Sequence, residues 1–176
     1  ATVYRTTGPA DSVVFWYGAT NAPSGIATVA SSQTWLAMHD DYATNTTVYA
    51  GTAGNDSAWS VSTDGAVNWN ETGLIDNGGA VGAVNAVAVI SDVQLSPNWA
   101  NDSTMFIITD NLRASANDTN VWRSDDGGIT WTRLMTGNFA GVGTGVLTLS
   151  DEYATDATIY VGDSTTVNIY YSASSG

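Results

Sequence analysis

Ser124-Asp-Asp-Gly-Gly-Ile-Thr-Trp131 is the stretch on which the reading of the chain turns. Adjacent glycines reach backbone conformations closed to other residues, an Asp bonds its own turn, and a Trp supplies a large apolar anchor, so the stretch specifies a tight hairpin turn. Ser62-Thr-Asp-Gly-Ala-Val-Asn-Trp69 repeats it with Ser, Asp and Trp in place, and Ala66 and Asn68 where the other copy has Gly128 and Thr130. A third copy begins at Tyr171-Ser-Ala-Ser-Ser-Gly176 with Ser174 at the Asp position, and a degenerate form occupies residues 17–25.

A second landmark recurs in phase with the turn. Asp41-Tyr-Ala-Thr-Asn-Thr-Thr-Val-Tyr-Ala-Gly-Thr52 matches Asn98-Trp-Ala-Asn-Asp-Ser-Thr-Met-Phe-Ile-Ile-Thr109 and Glu152-Tyr-Ala-Thr-Asp-Ala-Thr-Ile-Tyr-Val-Gly-Asp163. The aromatic corner residues Tyr42, Trp99 and Tyr153 are 57 and 54 residues apart, and the opening Thr2-Val-Tyr4 repeats the Thr-Val-Tyr at 47–49. A fixed period of this size marks tandem structural units. We read units at 1–46, 47–103, 104–157 and 158–176, the last of them partial. The strand-like runs are 47–51, 58–62 and 84–93 in the second unit, then 104–109, 120–124, 131–135 and 145–149 in the third. About four short strands per unit predicts an all-β fold of propeller-like, four-stranded antiparallel blades, three blades plus part of a fourth.

Composition agrees with many short strands. Seven Trp, eight Tyr and abundant Val, Ile and Thr favour pleated surfaces, and eighteen Gly with frequent Asn, Asp and Ser favour turns. No segment keeps apolar residues at helical spacing, so no helix is predicted, and the apolar run 79–90 is too short and Gly-rich to cross a bilayer. Seventeen acids against four arginines and no lysine give a net charge of −13, which argues against a nucleic-acid partner because phosphate binding needs clustered cations. The absence of Cys removes disulfides and thiolate chemistry. Chains that begin at Ala1 with no leader-like segment fit a processed or excised product. Five Asn-x-Ser/Thr sequons, at Asn45, Asn55, Asn70, Asn101 and Asn117, fall in turn-rich stretches and are candidate glycosylation sites.

The turn at 124–131 matches Ser-x-Asp-x-Gly-x-Thr-Trp at every specified position and resembles the Asp-box, or BNR-type, β-propeller family, whose members include sialidases, xyloglucan-degrading hydrolases, sortilin-type receptors and photosystem assembly factors. The Tyr-Ala-Thr-Asp-x-Thr-Val-Tyr corner is similar to that of bacterial and archaeal surface proteins with long propeller arrays. The resemblance covers nearly the whole chain. It implies a structural part for Ser62, Asp64, Gly65, Trp69, Ser124, Asp126, Gly128, Thr130 and Trp131: the Asp accepts backbone N–H bonds, the Gly takes a restricted conformation and the Trp packs beneath the hairpin.

Two branches of that family hydrolyse glycosides, so catalytic sets need a search. A sialidase-like site requires arginines converging on a carboxylate, whereas the four arginines are Arg5, Arg113, Arg123 and Arg133, of which Arg123 and Arg133 flank a turn and read as solvent-facing or ladder-pairing residues, so no three-arginine clamp is assembled. A paired-carboxylate site requires two acids across a cleft, one with a raised pKa. Glu71, Glu152, Asp40, Asp41, Asp92, Asp110 and Asp118 supply acids, but none stands in an apolar setting that singles it out. His39 is the lone histidine, reads as a surface residue beside Asp40 and Asp41, and excludes a multi-histidine metal centre. No catalytic residue and no cofactor is assigned, and calcium, which takes oxygen ligands, is the one candidate metal.

Three blades and a fraction leave sheet edges uncovered, to be completed by another chain or by further sequence. The expected function is a non-catalytic extracellular structural protein, a subunit or segment of a self-assembling surface layer, sheath or filament whose partner is itself, with glycans a further candidate. The alternatives are a carbohydrate- or protein-binding propeller module and a fragment of an Asp-box glycoside hydrolase.

Overall fold

β-branched and aromatic runs separated by Gly, Asn and Asp fold as short strands. The computed structural model describes residues 3–6, 16–23, 34–52, 58–73, 88–111, 118–138, 145–163 and 168–173, and all structural statements concern these. β1 (Tyr4–Arg5) and β2 (Tyr17–Gly18) form a two-stranded sheet. β3 (Thr34–Met38), β4 (Val48–Thr52), β5 (Trp59–Ser62) and β6 (Asn70–Gly73) form a four-stranded one, as do β7 (Ala88–Leu95), β8 (Met105–Asn111), β9 (Asp118–Ser124) and β10 (Thr132–Asn138). β11 (Gly145–Leu149), β12 (Ile159–Asp163) and β13 (Ile169–Ser172) form a three-stranded sheet. Strands adjacent in each sheet are consecutive in the chain, and every ladder between them is antiparallel. The chain is mostly β.

Helix does occur, in three single turns: α1 (Tyr42–Asn45), α2 (Trp99–Asp102) and α3 (Tyr153–Asp156), each joining the first two strands of a sheet. Four residues are too few to show a 3.6-residue period, which is why the sequence pattern predicts none. The phase also differs from the sequence units. Residues in the run 84–93, placed at the end of the 47–103 unit, contribute β7, which pairs with β8 and not with β6. Backbone pairing thus makes each larger sheet open with the strand that precedes its aromatic corner.

Neighbouring sheets bury their facing sides against each other. In β8, Met105 and Ile107 join Tyr49, Trp59, Ile90, Trp99 and Trp122 on one side. Phe106 and Ile108, the alternate residues, join Leu147, Tyr153, Ile159 and Val161 on the other, as the two-residue period of a strand requires. Contact is close where a side chain is missing: a Cβ on Gly51 would stand 3.1 Å from Ile90, and one on Gly145 would stand 2.9 Å from Ile108. The first strands stack on one another, β3 on β7 and β7 on β11.

Those first strands follow one rule. Six and four residues before the corner aromatic lie Leu36 and Met38, Val93 and Leu95, and Leu147 and Leu149. Val93 and Leu95 pack on the cluster shared with the preceding sheet, and so do Leu147 and Leu149. Leu36 and Met38 are instead 55% and 57% exposed. The β1–β2 sheet departs from the repeat as well. Val3, rather than Tyr4, turns inward, against Ala50, Ala66 and Trp69, and Tyr4 is exposed although the motif aligns it with buried Tyr49.

Candidate functional site

The two landmarks are local locks of different construction. At the α2 corner Ser96 Oγ donates to Asp102 Oδ2 (2.7 Å), while Asn98 N donates to Ser96 Oγ (3.1 Å) and Thr104 N to Asp102 Oδ1 (2.9 Å). Ser150, Asp156, Glu152 and Thr158 repeat the three bonds at 2.7, 3.1 and 2.8 Å around α3. At α1 the pair is His39 and Asn45: Asp41 N donates to His39 Nδ1 (3.0 Å) and Thr47 N to Asn45 Oδ1 (2.9 Å). His39 is therefore not a free surface residue. Its imidazole does the work of a serine hydroxyl and presents its ring edge-on to Trp99, 6.0 Å between centroids.

Each helical turn ends in a left-handed residue, Thr46, Ser103 or Ala157, whose N–H bonds back to the carbonyl of the corner aromatic. The aromatic itself reaches across to the preceding sheet. Trp99 meets Tyr49 edge to face at 5.3 Å, and Tyr153 meets Phe106 in the same way at 5.4 Å. Tyr49 and Phe106 occupy the same place in the repeat, the third residue of Thr-Val-Tyr and Thr-Met-Phe. This geometry is the favourable one for ring quadrupoles.

In the turns, Asp64 Oδ1 accepts from Ser62 Oγ (2.8 Å), Val67 N (3.1 Å) and Asn68 N (2.9 Å), and Oδ2 accepts from Asn68 Nδ2 (2.8 Å). Asp126 does the same with Ser124, Ile129 and Thr130, adding Thr130 Oγ1 at 2.6 Å. The serines in turn accept the N–H of Ala66 and Gly128. The bonds from Asn68 and Ser62 hold the Asp64 pKa down at about 2. At Asp126 partial burial pushes upward but is outweighed by the bonds from Thr130 and Ser124, and the net shift is downward. Both groups are ionised acceptors with their lone pairs committed, poor material for a general acid.

The turn also clasps its surroundings. Gly65 N donates to Thr46 O (3.0 Å) and Gly127 N to Ser103 O (3.1 Å), tying each turn to the left-handed cap of its own corner. Gly128, at φ +88, packs on the preceding sheet: a Cβ there would run into Trp59 Nε1 and lie 2.7 Å from Cδ1. Trp131 meets the same indole edge to face at 5.9 Å and donates its own N–H to Gly128 O (3.0 Å). Trp69 is buried against the β1–β2 side, its backbone exchanging bonds with Asn21: N to O at 3.1 Å and Asn21 Nδ2 to Trp69 O at 3.0 Å. The third turn, beyond residue 173, lies outside the described residues, and the 17–25 stretch is described only to Pro23.

One acid escaped the sequence pattern. Asp92 is 6% exposed at a bulge in β7, its Oδ2 accepting from Leu147 N (2.6 Å) in the next sheet and its Oδ1 from Val93 N (2.8 Å). Burial pushes its pKa up, with the two N–H bonds acting the other way. A carboxylate here bridges two sheets. Its burial depends on a bulge and on a partner 55 residues away, neither visible in the local sequence.

The remaining candidates are dispersed. Arg5 lies over the Tyr17 ring and Arg133 over Trp122, each at 5.9 Å, and Arg123 reaches Asp125 at 3.7 Å. No common carboxylate gathers them. Asp40, Asp41 and Glu152 are exposed, the side chains of Glu71, Asp110 and Asp118 are outside the described set, and so is Arg113. Among the described residues no three His, Asp or Glu side chains cluster as metal ligands. Of the sequons, Asn70 and Asn101 are exposed on β6 and α2, Asn45 is engaged by Thr47 N, and Asn55 and Asn117 are outside the described residues. No described helix is long and apolar enough to cross a membrane. Comparison with family models, curated proteins and solved structures finds no match.

Proposed function

We infer that the chain is a non-catalytic structural protein of the cell exterior that associates with itself, its sheets being blades of a propeller-like array. One observation carries the reading. The outer face of the β11–β13 sheet exposes Val146, Tyr160, Ile169 and Tyr171, whereas the matching faces of the two four-stranded sheets are buried under a following sheet. Contiguous exposed apolar surface of this kind marks an association site. The motif's own polar groups are consumed in holding turns, and the acidic surface and exposed sequons suit an extracellular setting. Light scattering on the chain in solution tests the inference: mass rising with concentration supports it, and a single 18.3 kDa species at all concentrations refutes it.

A carbohydrate-binding reading rests on a different observation. Trp16 is 63% exposed, an indole face of the type on which sugar rings stack. A glycan array probed with the native chain and with Trp16→Ala distinguishes this reading by loss of signal.

A further inference from the structure

The two covered interfaces show what covers such a face. In each, the receiving sheet offers the ring of the Thr-Val-Tyr position, and the arriving sheet brings its corner aromatic together with the residues four and six before it: Trp99, Leu95 and Val93 in one case, Tyr153, Leu149 and Leu147 in the other. Shape complementarity comes with the pattern. Gly51 on the receiving strand leaves the space that Ile90 fills.

One receiving face is unfilled. Tyr160 is the ring at the repeat position of Tyr49 and Phe106, yet it is 41% exposed. Gly162 stands where Gly51 does, and a Cβ on it would meet nothing closer than Val146 O at 3.9 Å. One arriving face is only partly covered. Tyr42, Met38 and Leu36 are the third corner aromatic and its two companions; Val3 to Thr6 wall one side of a groove of about 350 Å³ beside them, and Leu36 and Met38 stay exposed.

We propose that these two faces are each other's partners in separate copies of the chain: Leu36, Met38 and Tyr42 of one copy seat on Tyr160, Gly162 and Val146 of the next. The proposal rests on the self-association inferred above and adds the surfaces and the polarity of the contact. Because the two faces differ, the contact is heterologous and repeats head to tail, adding one copy at a time without a built-in stop at two. The Tyr42 ring falls on Tyr160 as Trp99 falls on Tyr49.

Capping variants of the full chain test this. Leu36→Glu places a charge on the arriving face and leaves the receiving face intact, and Tyr160→Glu does the reverse; both positions are solvent-exposed, and near-UV circular dichroism checks that each variant is folded. By sedimentation, the native chain is expected to grow with concentration past two copies. Each variant alone is expected to need at least roughly tenfold more protein to associate, since a desolvated charge at the centre of a contact is costly. An equimolar mixture of the two retains one good pair of faces and is expected to stop at two chains. Growth that survives both variants leaves self-association standing and overturns these faces. Native assembly that stops at two copies overturns the head-to-tail polarity, and a native chain that stays single at every concentration overturns both the proposal and the function beneath it.

Discussion

Gly128→Ala isolates the closest approach between two sheets. Gly128 sits at φ +88, where an L side chain is strained, and its missing Cβ is the space taken by the Trp59 indole, whose Cδ1 would lie 2.7 Å from the new atom. The backbone strain costs about 1 kcal/mol. Forcing a methyl group into a filled contact costs about 1–3 kcal/mol more. A total of about 2–4 kcal/mol, divided by a urea m-value of about 2 kcal/mol/M, lowers the unfolding midpoint by about 1–2 M. Gly65→Ala is the comparison: φ is +69, but the nearest atom to the new Cβ is Tyr42 Oη at 3.3 Å, so the expected loss is the backbone part, about 1 kcal/mol. Urea titration followed by Trp fluorescence measures both. In a Trp59→Leu background the steric part should vanish, giving a coupling of about 1–3 kcal/mol in a double-mutant cycle. Equal costs for the two glycine substitutions, or the same cost for Gly128→Ala with and without Trp59, refute the reasoning.

Four further outcomes follow from the same geometry. Asp64, Asp126 and Asp156 have folded pKa values below the ordinary 3.8, so their contribution to stability is complete above that value and is lost as the pH falls through the folded values, near 2 for Asp64; urea midpoints measured from pH 6 to pH 2 should drop at the acid end, and less steeply in Asp64→Asn. Asp92 has the opposite sign: its folded pKa is raised, protonation favours the folded state between that value and 3.8, and Asp92→Asn should remove this gain from the same curve. Asp92→Ala leaves the buried Leu147 N–H without its acceptor at a cost of about 1–3 kcal/mol, visible as faster exchange of that one amide than of its β12-paired neighbours. At the first corner His39→Ala should cost about 1 kcal/mol, and His39→Ser combined with Asn45→Asp should recover much of it by installing the hydroxyl–carboxylate pair of the other two corners, as read from thermal unfolding.

How much of this could be read from the residues depended on the range of the interaction responsible. The strand run at 105–109 is legible because β-branched and aromatic residues fill it, and the hairpin at 124–131 is legible because the side-chain bonds of Ser124 and Asp126 that close it span at most four residues. The serine six residues before the corner acid was also available, since Ser96 and Ser150 precede Asp102 and Asp156 by the same step, but His39 and Asn45 hide the third instance behind different chemistry. β3 is not legible because both of its faces are apolar, Trp35 and Ala37 packing on the cluster shared with the next sheet while Leu36 and Met38 are exposed, so the usual polar-outside alternation fails. Sheet phase was not legible at all. Whether β7 belongs with β6 or with β8 is settled by backbone bonds, which carry no side-chain signature.

The differences between copies of the motif carry information that the shared residues do not. The shared Ser, Asp and Trp build the same turn wherever it stands, so they say nothing of what lies beside it. The residue at the position of Gly128 does say something: opposite an indole it is Gly, and in the cluster with Val3 it is Ala66, whose methyl group is buried there at φ +66. The same logic applies to β12. A Gly inside a strand loses packing and adds unfolded-state entropy, a cost without return on a face that meets only water. Gly162 incurs that cost beside Tyr160, in the position where Gly51 makes room for a neighbour's side chain. One face of the strand, with Ile159 and Val161, is buried, and the other, with Tyr160, is exposed, which is the face the proposed contact between copies would cover.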